Sequence, residues 1–213
     1  GTIAAGGAGT GKGGHVKLGL QLGYWGAQPP EGVAELVAAA EESGFDAMFT
    51  AEAWGSDAFS PLAWWGRDTS RLRLGTSIVQ MSGRSPASIA MHALTLDHLS
   101  NGRVILGTGL GGPIDDEYGA FGEPTDPKLL AERLDEGLQL LDRYWSGEPV
   151  THEGRHYRVD EVALLPTPVQ RPRVPVWIGG FWPHRPPMRR AARWDGAVPL
   201  FLSAKHGHIP PLD

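Results

Sequence analysis

Residues Ser85–Gly112, SPASIAMHALTLDHLSNGRVILGTGLGG, hold a helix, its stop, a strand and a glycine loop in one run. Ser85 followed by Pro86 is an N-cap with proline at the first helical position, where the missing N–H is not needed. The helix is expected to reach Leu99, and Asn101-Gly102 ends it. Val104–Leu106 then opens an apolar strand that runs into GTGLGG. Gly107-Thr-Gly109-Leu-Gly111-Gly112 satisfies G-x-G-x-x-G, but a dinucleotide-binding fold needs a helix at once and an acid about 20 residues on, after the next strand. Here Pro113 and the acidic run Ile114–Tyr118 follow, and the next regular element is a helix. The glycines therefore read as a bare strand end that lets a flat ligand approach backbone.

Outward from this run the same alternation repeats. Strands are expected at Lys17–Tyr24, Asp46–Thr50, Leu72–Gln80, Pro175–Ile178 (ending in Gly179-Gly180) and Gly196–Phe201. Helices are expected at Glu31–Ser43, around Pro61–Trp65, from Asp126-Pro127 onward, and at His184–Trp194. In the longest helix Leu130, Leu134, Leu138, Leu141 and Trp145 fall on one stripe, the pattern of a buried face. Strand–helix alternation implies parallel strands and an α/β fold, either an open doubly wound sheet or a barrel.

The totals exclude several classes. The chain has 213 residues, 41% of them apolar, with a net charge of −5 and no cysteine. No disulfide framework, thiol nucleophile or thiolate metal site can exist. A nucleic-acid binder would show a basic face, and no apolar run is long enough for a membrane span. Residues 1–14, GTIAAGGAGTGKGG, read as a flexible leader, and 15–213 as the folded domain. Gly6-x-x-x-x-Gly11-Lys12 approaches a phosphate-binding loop, but Gly13 stands where Ser or Thr should reach magnesium. The leader also lacks the basic start and long apolar stretch of a signal peptide, so a cytoplasmic protein is expected.

His152–His156, HEGRH, matches the H-E-x-x-H zinc pattern, which works when two histidines share one helix face. Gly154 and the flanking Val150, Thr151, Tyr157 and Val159 favour a β-hairpin instead, where the histidines need not converge. No metal ligands are expected. Arg189, Arg190 and Arg193 read as a solvated helix face, and His92 and His98 as packing or surface residues.

Five stretches in order carry a resemblance: KLGLQLGYW (Lys17–Trp25), EESGFDAMFTAEAWGSDAFSPLAW (Glu41–Trp64), TSRLRLGTSIVQM (Thr69–Met81), the run Arg84–Gly112 and LPTPVQRPRVPVWIGG (Leu165–Gly180). With them the chain resembles the luciferase-like monooxygenases and their deazaflavin-dependent relatives. The resemblance implies a TIM-type (β/α)8 barrel with a flat cofactor ring, either FMN or coenzyme F420, at the C-terminal ends of the strands. It implies a non-prolyl cis peptide at Ser77-Ile78 propping the ring, cofactor contacts at Gly107, Gly109, Gly179 and Gly180, and Glu52 and Trp54 as catalytic residues. Relatives that are dehydrogenases often place histidine after this acid, whereas Ala53 follows Glu52 here. Others place an acid just after the glycines, where this chain has Gly112.

An eight-stranded barrel takes about 250 residues, and only about six strands are legible, so the barrel is expected to be incomplete. Exposed sheet edges invite pairing, which predicts a homodimer or poor solubility. Three functions follow: a flavin- or F420-dependent oxidoreductase or monooxygenase acting on a small organic substrate, a catalytically inactive partial barrel, and, from HEGRH alone, a zinc hydrolase. Cofactor binding separates the first two, and metal analysis tests the third.

Overall fold

The computed structural model describes residues 3–5, 16–53 and 55–201. Along the chain lie β1 (Ile3–Ala5), β2 (Leu18–Gly23), α1 (Val33–Glu42), β3 (Ala47–Thr50), α2 (Phe59–Gly66), β4 (Arg73–Thr76), β5 (Val79–Gln80) and α3 (Pro86–Leu99). Then come β6 (Val104–Gly109), α4 (Ile114–Glu117), a 3-10 turn (Gly119–Phe121), α5 (Pro127–Tyr144), β7 (Val150–Glu153), β8 (Arg158–Val162), β9 (Val176–Trp182), α6 (Arg185–Ala191) and β10 (Gly196–Phe201). The main sheet runs β1-β2-β3-β4-β6-β9-β10, with β5 also paired to β6. Neighbours from β2 to β10 are parallel, which gives a curled half-barrel of six strands. Part of the glycine-rich leader joins it: Ile3–Ala5 pairs antiparallel with Leu18–Leu20. The Gly6–Lys12 stretch, Trp54 and the residues after 201 lie outside the described residues.

Side chains alternate across each strand, so the sheet has two differently built faces. On the convex face Met48, Leu74, Val104, Leu106, Val176 and Ile178 pack against helical residues, among them Val37, Leu62, Ile89 and the α5 stripe. Leu130, Leu134, Leu138, Leu141 and Trp145 are all buried, as their spacing predicts, the last four of them in this cluster. The concave face holds a smaller cluster of Ala47, Phe49 and Ile105 with Trp177, the two rings 5.7 Å apart. Glycine makes that packing possible: a Cβ at Gly75 would lie 2.2 Å from the Phe49 ring. β6 sits mid-sheet with every residue buried, and its sequence of apolar and small residues is the price of having both faces covered.

Helix starts follow their caps. Ser85 Oγ accepts the Ser88 N–H at 3.1 Å, and the Asp126 carboxylate accepts the Lys128 N–H at 3.0 Å. The segment expected to be one strand from Leu72 to Gln80 is interrupted, because the Ser77-Ile78 peptide is cis and divides β4 from β5. β9 does not end at Gly179-Gly180 but continues to Trp182, paired throughout with β10. HEGRH lies in the antiparallel hairpin β7–β8, as its β-formers suggest. Among the described residues no helix is long and apolar enough to cross a membrane.

Candidate functional site at the C-terminal rim

Parallel strands bring all their C-terminal ends to one rim. β4 ends there at Ser77-Ile78, and the Ser77 N–H donates to the Thr50 carbonyl of β3 at 2.6 Å. Ile78 lies over two of the predicted glycines: a Cβ would sit 3.0 Å from its Cδ1 at Gly109 and 2.8 Å from its Cγ2 at Gly179. At Gly107 a Cβ would lie 2.0 Å from the Thr76 carbonyl oxygen, so the strands approach closely only because residue 107 is glycine. Ser77, Ile78, Gly107, Gly109 and Gly179 are thus brought together. Gly180 is placed differently, since successive residues face opposite sides of a sheet. The position of its missing Cβ is filled by Pro187 of α6 at 2.2 Å, on the convex side. Trp54 falls outside the described residues, and its role stays an expectation.

Beside this rim a cleft of about 560 Å3 opens between the loops after β3, β5 and β6. Glu52, Asp57, Gln80, Arg84, Glu117 and Phe121 are among its walls. Glu52, at the end of β3, is largely buried and paired with Arg84, whose Nε lies 3.1 Å from Oε1. Asp57 accepts the Phe59 and Ser60 N–H groups at 2.8 Å each, opening α2. Burial works to raise the Asp57 carboxyl, but those hydrogen bonds and the Arg84 charge outweigh it and hold it below its ordinary value. Glu117 goes the other way. Burial raises its carboxyl, the Glu52 and Asp116 charges add to that, and hydrogen bonds from Gly112 and Gln80 only partly offset them.

Sequence reading found Glu52 but missed Asp57, Gln80, Arg84 and Glu117. The available clue was position: each lies at or beyond the C-terminal end of a strand, on the functional face of such barrels. What could not be read is that loops far apart in sequence aim at one cleft.

HEGRH has another use. His152 Nε2 lies 2.9 Å from Glu136 Oε1 and His156 Nε2 3.1 Å from Glu132 Oε2, both partners on α5. Glu136 also accepts the backbone N–H groups of His156 and Tyr157 at 3.0 Å. The motif is a turn docked on a helix. A Cβ at Gly154 would fall 1.9 Å from Glu136 Oε1, so a side chain there would displace that carboxylate. Arg190 corrects another expectation: it is buried rather than solvated and binds Asp135 through Nε at 2.7 Å and Nη2 at 2.8 Å. His92 stacks on Phe59 and His98 bonds the Thr167 carbonyl at 2.8 Å; both are exposed, as the packing-or-surface reading allows.

Comparison with known proteins agrees with this architecture. The pattern of the family described as luciferase-like monooxygenase matches residues 7–199. A Mycobacterium tuberculosis protein, provisionally named a coenzyme F420-dependent oxidoreductase, is 51% identical over 89% of this chain and 57% of its own length. An F420-dependent glucose-6-phosphate dehydrogenase of Nakamurella multipartita is 35% identical over 86% of this chain and 54% of its own. The solved coenzyme F420-dependent tetrahydromethanopterin reductase of Methanopyrus kandleri superposes with a TM-score of 0.71 at 23% identity, over 85% of this chain and 55% of that one. The chain spans about half the length of the curated relatives it matches.

Proposed function

Since the chain belongs to the luciferase-like monooxygenase family, we propose that it forms the cofactor-holding part of an oxidoreductase that uses coenzyme F420 to move hydride to or from a small organic substrate. The observation that carries this reading is the glycine rim under Ile78, which adjoins a cleft of about 560 Å3. That volume lies within the roughly 300–1,000 Å3 usual for small-molecule sites. The residues suit a flat ring: Ile78 offers an apolar wall, and Gly109 and Gly179 keep the strand ends bare around it. When bound, the cofactor supplies the two-electron redox chemistry, and the protein supplies position and electrostatics. Glu52, fixed by Arg84, presents a carboxylate of set orientation to the ring's polar edge or to the substrate. Ala53, which is buried, leaves no histidine beside it to shuttle a proton.

F420 leads because the names of relatives aligned over most of this chain carry it. Use of reduced FMN for oxygenation is the second reading, favoured by the family description. The substrate is proposed only as a small molecule, since loops set it. We also propose self-association: among the described residues β10 pairs with β9 alone and presents an edge. Light scattering tests that, and a monomer at all concentrations contradicts it. The main test is fluorescence titration of the 213-residue chain with F420 and with FMN, side by side. Saturable binding with F420 the tighter supports the reading, and FMN alone selects the second. Binding of neither contradicts both and leaves a non-catalytic partial barrel.

A further inference from the structure

We propose that Glu117 is a catalytic residue, the carboxyl that gives or takes the substrate's proton while hydride passes between substrate and cofactor. This rests on the redox reading above. The cleft holds three carboxylates in different surroundings. Asp57 is committed to capping α2. Glu52 faces the Arg84 guanidinium and accepts the Gln80 N–H at 3.4 Å. Among the described residues Glu117 has neutral donors, the Gly112 N–H at 2.7 Å and the Gln80 side-chain amide. Both bind Oε2, and among the described residues no hydrogen bond is made to Oε1, which leaves that oxygen for a substrate.

The charges that bear on Glu117 are acidic, Glu52 across the cleft and Asp116 on its own helix; the Tyr118 phenol is adjacent in the chain and buried. Arg84, the cation of the cleft wall, is engaged by Glu52. Glu117 sits where it does because Gly111, at φ 81°, has no side chain: a Cβ there would lie 2.6 Å from Oε2. Of the two carboxylates, Glu52 is tied to a guanidinium, whereas Glu117 is half-buried among acids with its carboxyl raised, the surroundings of a group that can hold a proton.

For a substrate with a hydroxyl-bearing carbon, the C–H bond breaks with its electron pair passing to the oxidised deazaflavin. The O–H bond breaks with its proton passing to the Glu117 carboxylate, and a carbonyl forms. The substrate loses two electrons and the ring gains them. Reduction runs the same steps backward, with Glu117 as the acid.

The test is a carboxyl carbon-13 titration of the chain labelled at glutamate, free and loaded with F420, with Glu117→Gln to assign the resonance. Glu117 is expected to titrate above the ordinary carboxylate range, and higher still with F420 bound, because the ring excludes water. In Gln80→Leu, which removes a donor to the charged form, it should also move up, and this variant assigns the resonance if Glu117→Gln does not fold. Titration in the ordinary range, or F420 binding that leaves the titration unmoved, overturns the inference while the binding reading stands. Failure of F420 and FMN to bind overturns that reading, and this inference with it.

Discussion

The two rims of the half-barrel use the same residue types to opposite ends. At the N-terminal rim Glu41 accepts the Ser70, Arg71 and Leu72 N–H groups and the Ser70 hydroxyl, each at 2.9 Å. Burial alone would raise its carboxyl, but those donors outweigh burial and bring it down to about 2. Nearby, fully buried Asp97 accepts the Val169 N–H at 2.8 Å, the Gln170 N–H at 3.2 Å and the Gln170 amide at 2.8 Å. Arg103 donates to the Gly66 carbonyl at 2.9 Å and to the Leu72 carbonyl and Thr69 hydroxyl at 2.8 Å. These three charges are held mainly by loop backbone, with a few side-chain hydroxyls and amides beside it. At the C-terminal rim Glu117 faces a cleft and other acids, and its carboxyl is raised. A charge held by many backbone donors is fixed and structural, whereas one held loosely beside a cavity can exchange a proton.

The largest expected effect is at the N-terminal rim. Asp97→Ala removes a fully buried acceptor and leaves the part-buried donors of Val169 and Gln170 without it. Unmade buried hydrogen bonds cost about 1–3 kcal/mol each, so a loss of at least about 3 kcal/mol in urea unfolding is expected. The protein that remains folded should bind F420 normally. If F420 binding is lost with the fold intact, the division between the rims is broken.

Ser77→Trp is the counterpart at the other rim. It fills the space beside Ile78 and should weaken F420 or FMN binding at least about 100-fold, or about 2.7 kcal/mol. Unchanged affinity for both would show that the pocket is misplaced.

Glu41→Gln should cost on the order of 2 kcal/mol at neutral pH, because an ionised group held by several hydrogen bonds becomes neutral. The folded carboxyl is depressed, so its stabilisation is present above the ordinary glutamate value and is lost as pH falls toward about 2. The gap between wild type and variant should close over that window. A gap independent of pH would contradict this origin.

Glu117→Gln has the smallest expected effect and the opposite sign. Its folded carboxyl is raised, so its favourable contribution is present at acid pH and is lost as pH rises through the folded value. Above that value the variant should be as stable as wild type or more stable, by up to about 1 kcal/mol. Destabilisation at pH 8 equal to that of Glu41→Gln would erase the contrast.

Most of the fold was legible because it rests on local patterning: the α5 leucine stripe, the Ser85-Pro86 cap and the apolar run of β6 are where periodicity and capping place them. The rim was half legible. Ser77, Ile78, Gly107, Gly109 and Gly179 lie together at the rim, but Gly180 turns to α6, because a strand that continues past a glycine pair puts one of the two on each face. Arg190 read as solvated because its partner, Asp135, belongs to a distant stretch of sequence. HEGRH was legible as a hairpin, but the partners of its histidines were not, because Glu132 and Glu136 lie on another element. Glu117 was passed over as part of an acidic run, since burial and the loss of Gly111's side-chain space are properties of the folded loop.

Hydrogen–deuterium exchange of the 213-residue chain with and without F420 tests the assignment of roles to the two rims most directly. Slower exchange on binding is expected at residues 76–84 and 107–117, with residues 41–46, 69–72 and 97–103 unchanged. Protection concentrated at the N-terminal rim, or spread equally over both, would contradict it.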